Sequence, residues 1–399
     1  MTAPRALFYS TSYPSTPVDR AGPFVHALAR ALVRSGVSVR VLAPAWGSAR
    51  GVSEMEGVTI HRFQFLPARW QTLTMGFGGV PVALRRAPWR LLQLPLLLVA
   101  AAALSVQAAR DADVLHAHWL PNLLPLAPAA WLRHRPRVVT LWGTDVQWFE
   151  RSPALRPALG AVLRGADSVV AINDHMRTLF APRVVSVERI ALIPSGVDTD
   201  LFRPRDRAPL RTRVGLSDDA VVVVLVGSLI PRKGVDVALK ALANIPDERV
   251  TAVVIGEGSE RGVLEELAAQ LGLTRRVRFA GECSLAEVAG WMSAADAFLL
   301  PSHYEGRPNV VLEAQASGLA VIASDIPGCR DLIEHGETGL LVPAGDVPAL
   351  AAALTSVAGD AALRTRLGTR ARAAIHDRGY TWDACARRYR DLYLDLLRG

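Results

Sequence analysis

The chain has 399 residues, half of them hydrophobic and 21% charged, with a formal net charge of +8; it suits two domains of about 200 residues each and is neither disordered nor fibrous. Residues 1–195 hold 21 arginines and 10 acidic side chains, while the other 204 hold 24 basic and 27 acidic ones, which predicts two domains with different partners. The arginines are scattered, with no zinc-finger, homeodomain or RNA-recognition signature, which argues against nucleic acid.

The N-terminus, MTAPRALFYSTSYP, lacks the basic-then-apolar order of a secretion signal and reads as a strand over Ala6–Tyr9. Gly22 then makes a turn before helical spacing over Phe24–Arg34, and Ser38–Leu42 is the next strand. Residues 89–109 read WRLLQLPLLLVAAAALSVQAA, polar-free for 11 residues from Leu94 to Leu104. That is short of the roughly 20 a spanning helix needs. Two readings remain: a buried domain helix, or an apolar face touching an anionic bilayer with Arg85, Arg86 and Arg90 as headgroup anchors. Strands follow at Val114–Ala117, Val138–Leu141, Ser168–Ile172 and Ile190–Ile193.

Ser195-Gly196 and Pro204-Arg205-Asp206-Arg207 break the pattern near residues 196–208, where the charge balance also changes sign. This sets a first domain at 1–195 and a second at 196–379. The second offers strands at Val221–Val226, Val250–Ile255, Val277–Phe279, Ala297–Leu300, Val321–Ala323 and Gly339–Val342, separated by amphipathic stretches such as Val235–Ala243, Gly262–Leu271 and Val310–Ala316. Alternating strand and helix predicts α/β domains with doubly wound parallel sheets. A last helix, about Trp382–Arg398, carries Tyr389, Leu392, Tyr393 and Leu396 at spacing 3–4; residues 380–399 are expected to return to the first domain. Ligands in such sheets bind at the carboxyl ends of the strands, so two facing domains predict an interdomain cleft. The cysteines, Cys283, Cys329 and Cys385, are isolated, as in a reducing cytosolic setting.

The strand-end loops carry the chemistry. Val226-Gly227-Ser228-Leu229-Ile230-Pro231-Arg232-Lys233-Gly234 places Arg232 and Lys233 where an anion is expected, although an ordinary solvated basic turn fits the same residues. After Ala297–Leu300 come Pro301-Ser302-His303-Tyr304-Glu305-Gly306-Arg307-Pro308-Asn309-Val310-Val311-Leu312-Glu313. Pro308 suits the first turn of a helix, whose amides near Asn309 and Val310 could hold phosphate. Glu313, one turn in, could accept from ribose hydroxyls, and Glu305 could reach a sugar hydroxyl. Gly256-Glu257-Gly258 lacks the dinucleotide spacing and reads as a strand-to-helix turn. His116 and His118 have no third metal ligand at usable spacing, and no P-loop or Gly-x-Ser-x-Gly elbow occurs. The Asp111/Asp113 pair precedes a strand instead of ending one.

Together these segments resemble the retaining glycosyltransferases of family 4, which have two Rossmann-like domains in the GT-B arrangement. The carrying residues are EGRPNVVLEAQASGLAVIASDIPG (Glu305–Gly328), GETGLLVPAGD (Gly336–Asp346), PSGVDTDLFRP (Pro194–Pro204) and VGSLIPRKGVD (Val226–Asp236); HAHW (His116–Trp119) and LWGTDV (Leu141–Val146) add to them. The first looks like the family's E-x7-E donor-binding motif, and Asp331 falls where the family often has an acid.

The resemblance implies a nucleotide-diphosphate sugar as donor, no cofactor and no metal, and a glycan, lipid-linked or small-molecule acceptor. Arg232 and Lys233 would neutralise the diphosphate, Glu313 would hold the ribose, and Glu305 with the backbone of Arg307, Pro308, Asn309 and Val310 would hold the sugar and distal phosphate. Gly22 would let the first domain approach the phosphates, and main chain around Gly281–Leu285 would read the base. The family often has arginine where this chain has Ser228, which shifts charge onto Arg232. Its first-domain histidine aligns with Trp142, so His118 is the candidate to touch sugar or acceptor; a structural histidine is the alternative. Asp145 either orients the acceptor or caps the next segment, and acceptor choice is placed in loops such as Arg50–Pro81. A cytoplasmic role in cell-surface glycan or glycolipid synthesis, at the inner membrane face, follows. A non-catalytic nucleotide-sugar-binding subunit and a nucleotide-sugar epimerase remain as alternatives.

Overall fold

A computed structural model of the protein describes residues 3–16, 22–47, 49–74, 79–181 and 184–398. The chain divides into two units, Met1–Ser195 with Trp382–Gly399, and Gly196–Thr381. Strands of unit 1 are β1 (Arg5–Tyr9), β2 (Ser38–Pro44), β3 (Gly51–Met55), β4 (Val58–Phe63), β5 (Val114–His118), β6 (Arg137–Thr140), β7 (Ser168–Ala171) and β8 (Ile190–Leu192). Unit 2 has β9 (Val221–Val226), β10 (Val250–Ile255), β11 (Val277–Gly281), β12 (Ala297–Leu300), β13 (Ala320–Ser324) and β14 (Leu340–Val342). The sheets run β3-β4-β2-β1-β5-β6-β7-β8 and β11-β10-β9-β12-β13-β14. Their ladders are parallel except β3 with β4, which are antiparallel.

The apolar strands are explained by cover on both faces. In β9, Val221, Val223 and Leu225 enter one core cluster of unit 2, and Val222 and Val224 enter the other. In β1, Leu7 and Tyr9 face one cluster of unit 1 while Ala6 and Phe8 face the second. Each such valine or leucine contributes about 1.5–3 kcal/mol by leaving water.

Each of the twelve expected strands forms, and the hairpin of β3 and β4 is additional. Its turn, Glu56-Gly57, has positive φ at both residues (49° and 80°), the mirror-image geometry that matches strand twist in tight hairpins. Gly51–Met55 and Val58–Phe63 of the expected acceptor loop Arg50–Pro81 are therefore sheet; residues 75–78 of that stretch lie outside the described ones.

The closing helix, Trp382–Leu396, belongs to unit 1. It buries Trp382, Cys385, Ala386, Tyr389 and Tyr393 against the cluster beneath the Pro23–Arg34 helix. Polar groups fix its seat: Tyr393 Oη lies 2.6 Å from His116 Nδ1, and Thr140 Oγ1 lies 2.7 Å from His116 Nε2 and 2.8 Å from Tyr389 Oη.

The apolar stretch 89–109 corrects an expectation. It sits in a helical segment of 24 residues, Pro88–Asp111, long and apolar enough by length and composition to cross a membrane, and only 22% of its most apolar part is buried. Its body, Leu94–Ala108, buries Leu97, Ala101 and Ser105, one face at spacing four. Through that face it packs on the Ala127–Arg133 helix and the 120–126 segment, so it lies along unit 1. The buried-helix reading fails for the opposite face, where Leu92, Leu96 and Val99 are exposed.

Candidate functional site

In unit 2 the strand order reverses between β9 and β12, which are adjacent in the sheet although β10 and β11 lie between them in sequence. Ligands of open parallel sheets sit outside such a switch point. The loops that leave it are Gly227–Gly234 and Pro301–Pro308. Gly234 makes their contact possible: its φ is +63°, and a Cβ would stand 2.1 Å from the Pro301 carbonyl oxygen. Here only glycine fits. The His303 amide donates to the Arg232 carbonyl at 2.9 Å, joining the loops.

This seating brings Lys233 to Glu305, Nζ donating to Oε1 at 2.6 Å, and the buried Ser302 hydroxyl donates to the same oxygen at 2.7 Å. Glu305 Oε2 has no hydrogen-bond partner among the described residues. The Arg232 guanidinium lies 6.0 Å from the Tyr304 ring centroid. Gly256 and Gly258 pack against the Gly227 and Leu229 carbonyls, leaving no room for a Cβ, so they serve as close-packing residues of a turn.

The helix Asn309–Ala316 starts beside this pair with no side-chain cap. Pro308 is the cap residue itself, φ −77° and ψ 104°, which corrects its expected place inside the first turn. Glu313 lies one turn on. It is half-buried, its carboxylate has no partner among the described residues, and desolvation pushes its pKa up to about 7. The Arg307 guanidinium turns to the Tyr380 ring, 4.6 Å from its centroid.

Gly281 ends β11, the edge strand two places from β9 and so about 10 Å away. Its carbonyl accepts from the Gly256 amide at 2.8 Å, and the Ser284 amide donates to Glu287 Oε2 at 2.7 Å in a capping box. The expectation that main chain over Gly281–Leu285 reads a base is narrowed by these bonds: the Ser284 amide already has a partner, while the Gly281 carbonyl keeps a second lone pair.

Unit 1 has its own switch point between β1 and β5. Gly22 caps the helix Pro23–Arg34 with φ +68°, and a Cβ there would stand 2.4 Å from the Ser12 carbonyl oxygen. The close approach that requires glycine is thus to its own loop. His118 is fully enclosed between Phe8 and His116, whose ring stacks on it at 4.4 Å. In this position it has no exposed surface to offer a ligand, which counts against the direct-contact reading. Burial, with His116 alongside, holds its pKa well below the usual value. The Trp142 indole N–H donates to His118 Nδ1 at 3.2 Å, leaving the ring proton on Nε2, an atom that is buried and has no partner among the described residues.

What stands at this strand end instead is aromatic. Half-buried Phe24, Trp119 and Trp142 form a cluster, with Phe24 4.5 Å from Trp142 and 5.7 Å from Trp119. Asp145 is buried and accepts from the Leu120 and Trp142 amides at 2.8 and 3.1 Å. It ties the loops after β5 and β6 together, and burial raises its pKa to about 6. Ser302, Tyr304, Tyr380 and Phe24 were not singled out from sequence; only Ser302, three residues before Glu305, had a readable spacing. No group of three metal-ligating side chains gathers among the described residues.

Residues 206–374 match the family model described as Glycosyl transferases group 1, and residues 21–201 match that of Glycosyltransferase Family 4. A D-inositol 3-phosphate glycosyltransferase of Nocardioides sp. is 30% identical over 95% of this chain and 87% of its own length. The chain belongs to glycosyltransferase family 4. A relative of the same name from Streptomyces bingchenggensis is 35% identical over 53% of this chain and 49% of its own length; the chain spans about half the length of the Streptomyces relatives it matches. Among solved structures, sucrose-phosphate synthase from Thermosynechococcus elongatus superposes with a TM-score of 0.80 at 25% identity, covering 99% of both chains. Anabaena Alr3699/HepE in complex with UDP and glucose gives 0.76 at 23% identity, over 98% of this chain and 99% of that one. The fold of this family 4 member is accordingly of the GT-B type.

Proposed function

We propose that the protein transfers a sugar from a nucleotide-diphosphate sugar to an acceptor hydroxyl, with retention of configuration and with the electrostatic work done by side chains. The observation that carries this reading is the Lys233–Glu305 ion pair at the switch point of unit 2, beside a helix start with no side-chain cap and the Glu313 carboxylate, unpartnered among the described residues. That set holds what a sugar-linked diphosphate asks for: cations for phosphate, amides for phosphate, and carboxylates for sugar and ribose hydroxyls.

In the transfer, the bond from the anomeric carbon to the donor phosphate breaks and a bond to the acceptor oxygen forms on the same face. The acceptor proton passes to the departing phosphate oxygen. Arg232 and Lys233 stabilise the charge that grows on that phosphate, and Glu305 Oε2 accepts from a sugar hydroxyl. Relatives whose names specify glycosyl transfer, and a structural neighbour holding UDP and glucose, support the donor class. The acceptor, a glycan, lipid-linked or small hydroxyl compound, falls to unit 1, whose aromatic cluster suits an apolar sugar face. A cytosolic site of action and a part in cell-surface glycan or glycolipid synthesis complete the proposal.

The test is donor turnover with UDP-, GDP-, ADP- and dTDP-glucose. Sugar release or transfer from one of them, cut about a hundredfold by Lys233→Ala, supports the reading. Binding without any turnover would leave a nucleotide-sugar-binding subunit in its place.

A further inference from the structure

Unit 1 carries an apolar surface that its own core does not use. Leu92 is 80% exposed, Val99 69%, Trp89 60% and Leu96 48% along one side of the Pro88–Asp111 segment. Neighbouring elements continue it. Gln93 accepts from the Thr72 and Leu73 amides, both at 3.1 Å, which pins the loop bearing exposed Trp70 beside the segment's start. The Ala127–Arg133 helix, packed on Leu94–Ala108, presents Trp131, 77% exposed. Exposed apolar residues scattered singly need no explanation, but this many large ones on elements packed against one another point to an interaction surface.

Its charge selects the partner. From Gly57 to Arg110 there is no aspartate or glutamate, while Arg69, Arg85, Arg86, Arg90 and Arg110 fall in that stretch with exposed or half-buried side chains; Arg62 is buried on backbone carbonyls. Arg69 lies over the Trp70 ring at 4.7 Å and Arg90 over Trp89 at 5.9 Å, and Arg85 and Arg86 are exposed beside them. Tryptophans edged by arginines around an aliphatic centre match a bilayer interface, with rings at the headgroup level and cations against lipid phosphate. A second copy of this chain would face arginines with arginines and supply no carboxylate from this stretch.

We infer that unit 1 docks on an anionic membrane through the face made by Trp70, Trp89, Leu92, Leu96, Val99 and Trp131, with the Pro88–Asp111 segment lying in the interface rather than across it. The inference is independent of the transfer reaction. It places the protein where a lipid-linked acceptor would be presented.

The experiment is flotation of the full chain with phosphatidylcholine vesicles, with and without phosphatidylglycerol. Expected are recovery with the anionic vesicles, weakening as salt rises, and at least about tenfold weaker partitioning for Leu92→Glu/Val99→Glu and for Arg85→Ser/Arg86→Ser/Arg90→Ser. Thermal melting should stay near the parent value, because Arg85, Arg86, Leu92 and Val99 are exposed and Arg90 is only half-buried. Brominated lipid should quench tryptophan emission in the parent, and less so in Trp89→Phe. No binding by the parent, or parent-level binding by both charge and apolar variants, would overturn the inference. So would self-association that Leu92→Glu/Val99→Glu abolishes while vesicles are ignored, since a second copy would then cover the face.

Discussion

Lys233 Nζ lies 2.6 Å from Glu305 Oε1, so the loops that leave β9 and β12 meet in an ion pair at the switch point of the second sheet. The pair is largely shielded from water, with 17% and 9% of the two side chains exposed. Glu305 thus holds the ammonium in place before any ligand arrives, and Ser302 holds Glu305. A cation fixed in advance costs no reorganisation when phosphate charge develops.

Lys233→Ala should therefore cut transfer about a hundredfold, the scale of one lost transition-state donor. Glu305→Gln keeps the size of the side chain and removes its charge, and should cost about tenfold as a charge-assisted bond becomes a neutral one. Steady-state kinetics on both variants checks the order; equal effects would mean that Glu305 does more at the reacting sugar than hold Lys233 and accept one hydroxyl.

Glu313 gives the donor site a pH signature. Desolvation raises its pKa from the ordinary 4.5 to about 7, so the fold favours the neutral acid, and this stabilisation, full below 4.5, is lost as pH rises through 7. Ribose hydroxyls need the carboxylate as acceptor. Affinity for a nucleotide sugar should fall about tenfold between pH 8 and pH 6, and Glu313→Gln should bind weakly with no such slope. Calorimetric titration at the two pH values checks it.

His116 makes the opposite pH prediction for unit 1. Burial lowers its pKa from 6.5 to about 3, so its contribution to stability is present above 6.5 and is lost as pH falls toward 3. Unit 1 should lose stability across that window, and His116→Gln should flatten the slope. Tyr393→Phe, which removes the hydroxyl beside His116 Nδ1, should destabilise by about 1–3 kcal/mol at pH 7.5. Denaturant unfolding followed by circular dichroism reads both.

His118 and Trp142 should separate structure from binding. His118→Gln acts inside the core and should lower stability by about 1–3 kcal/mol, with donor affinity unchanged. Trp142→Ala opens the half-buried aromatic cluster and should raise the acceptor KM several-fold. Paired melting and kinetic measurements decide; an acceptor KM that follows His118 instead would restore that residue as the contact.

The buried strands were legible in the sequence because covered parallel strands read as continuous apolar runs, as VVVVLV does at Val221–Val226. The β3–β4 hairpin was not. All but one residue of β3 are exposed, so it carries no apolar run, and its turn uses Glu56 where asparagine is usual. Lys233, Glu305 and Glu313 stood out by loop position, but their relation did not, since pairing across 72 residues depends on Gly234 seating one loop on the other. His118 misled because a histidine at a strand end looks available, whereas stacking on His116 and Trp142 and the edge contact with Phe8 enclose it. The 89–109 stretch misled in the other direction. Its sequence is apolar on every side, so which side faces water is decided by what packs on it.

The most direct test of the donor site is a calorimetric panel of UDP, GDP, ADP and dTDP, with and without magnesium, on the parent chain and Glu313→Ala. Selective binding of one nucleotide, unchanged by magnesium and lost in the variant, is the predicted result. No binding of any nucleotide, or full affinity in Glu313→Ala, would contradict the assignment of this strand end to a nucleotide sugar.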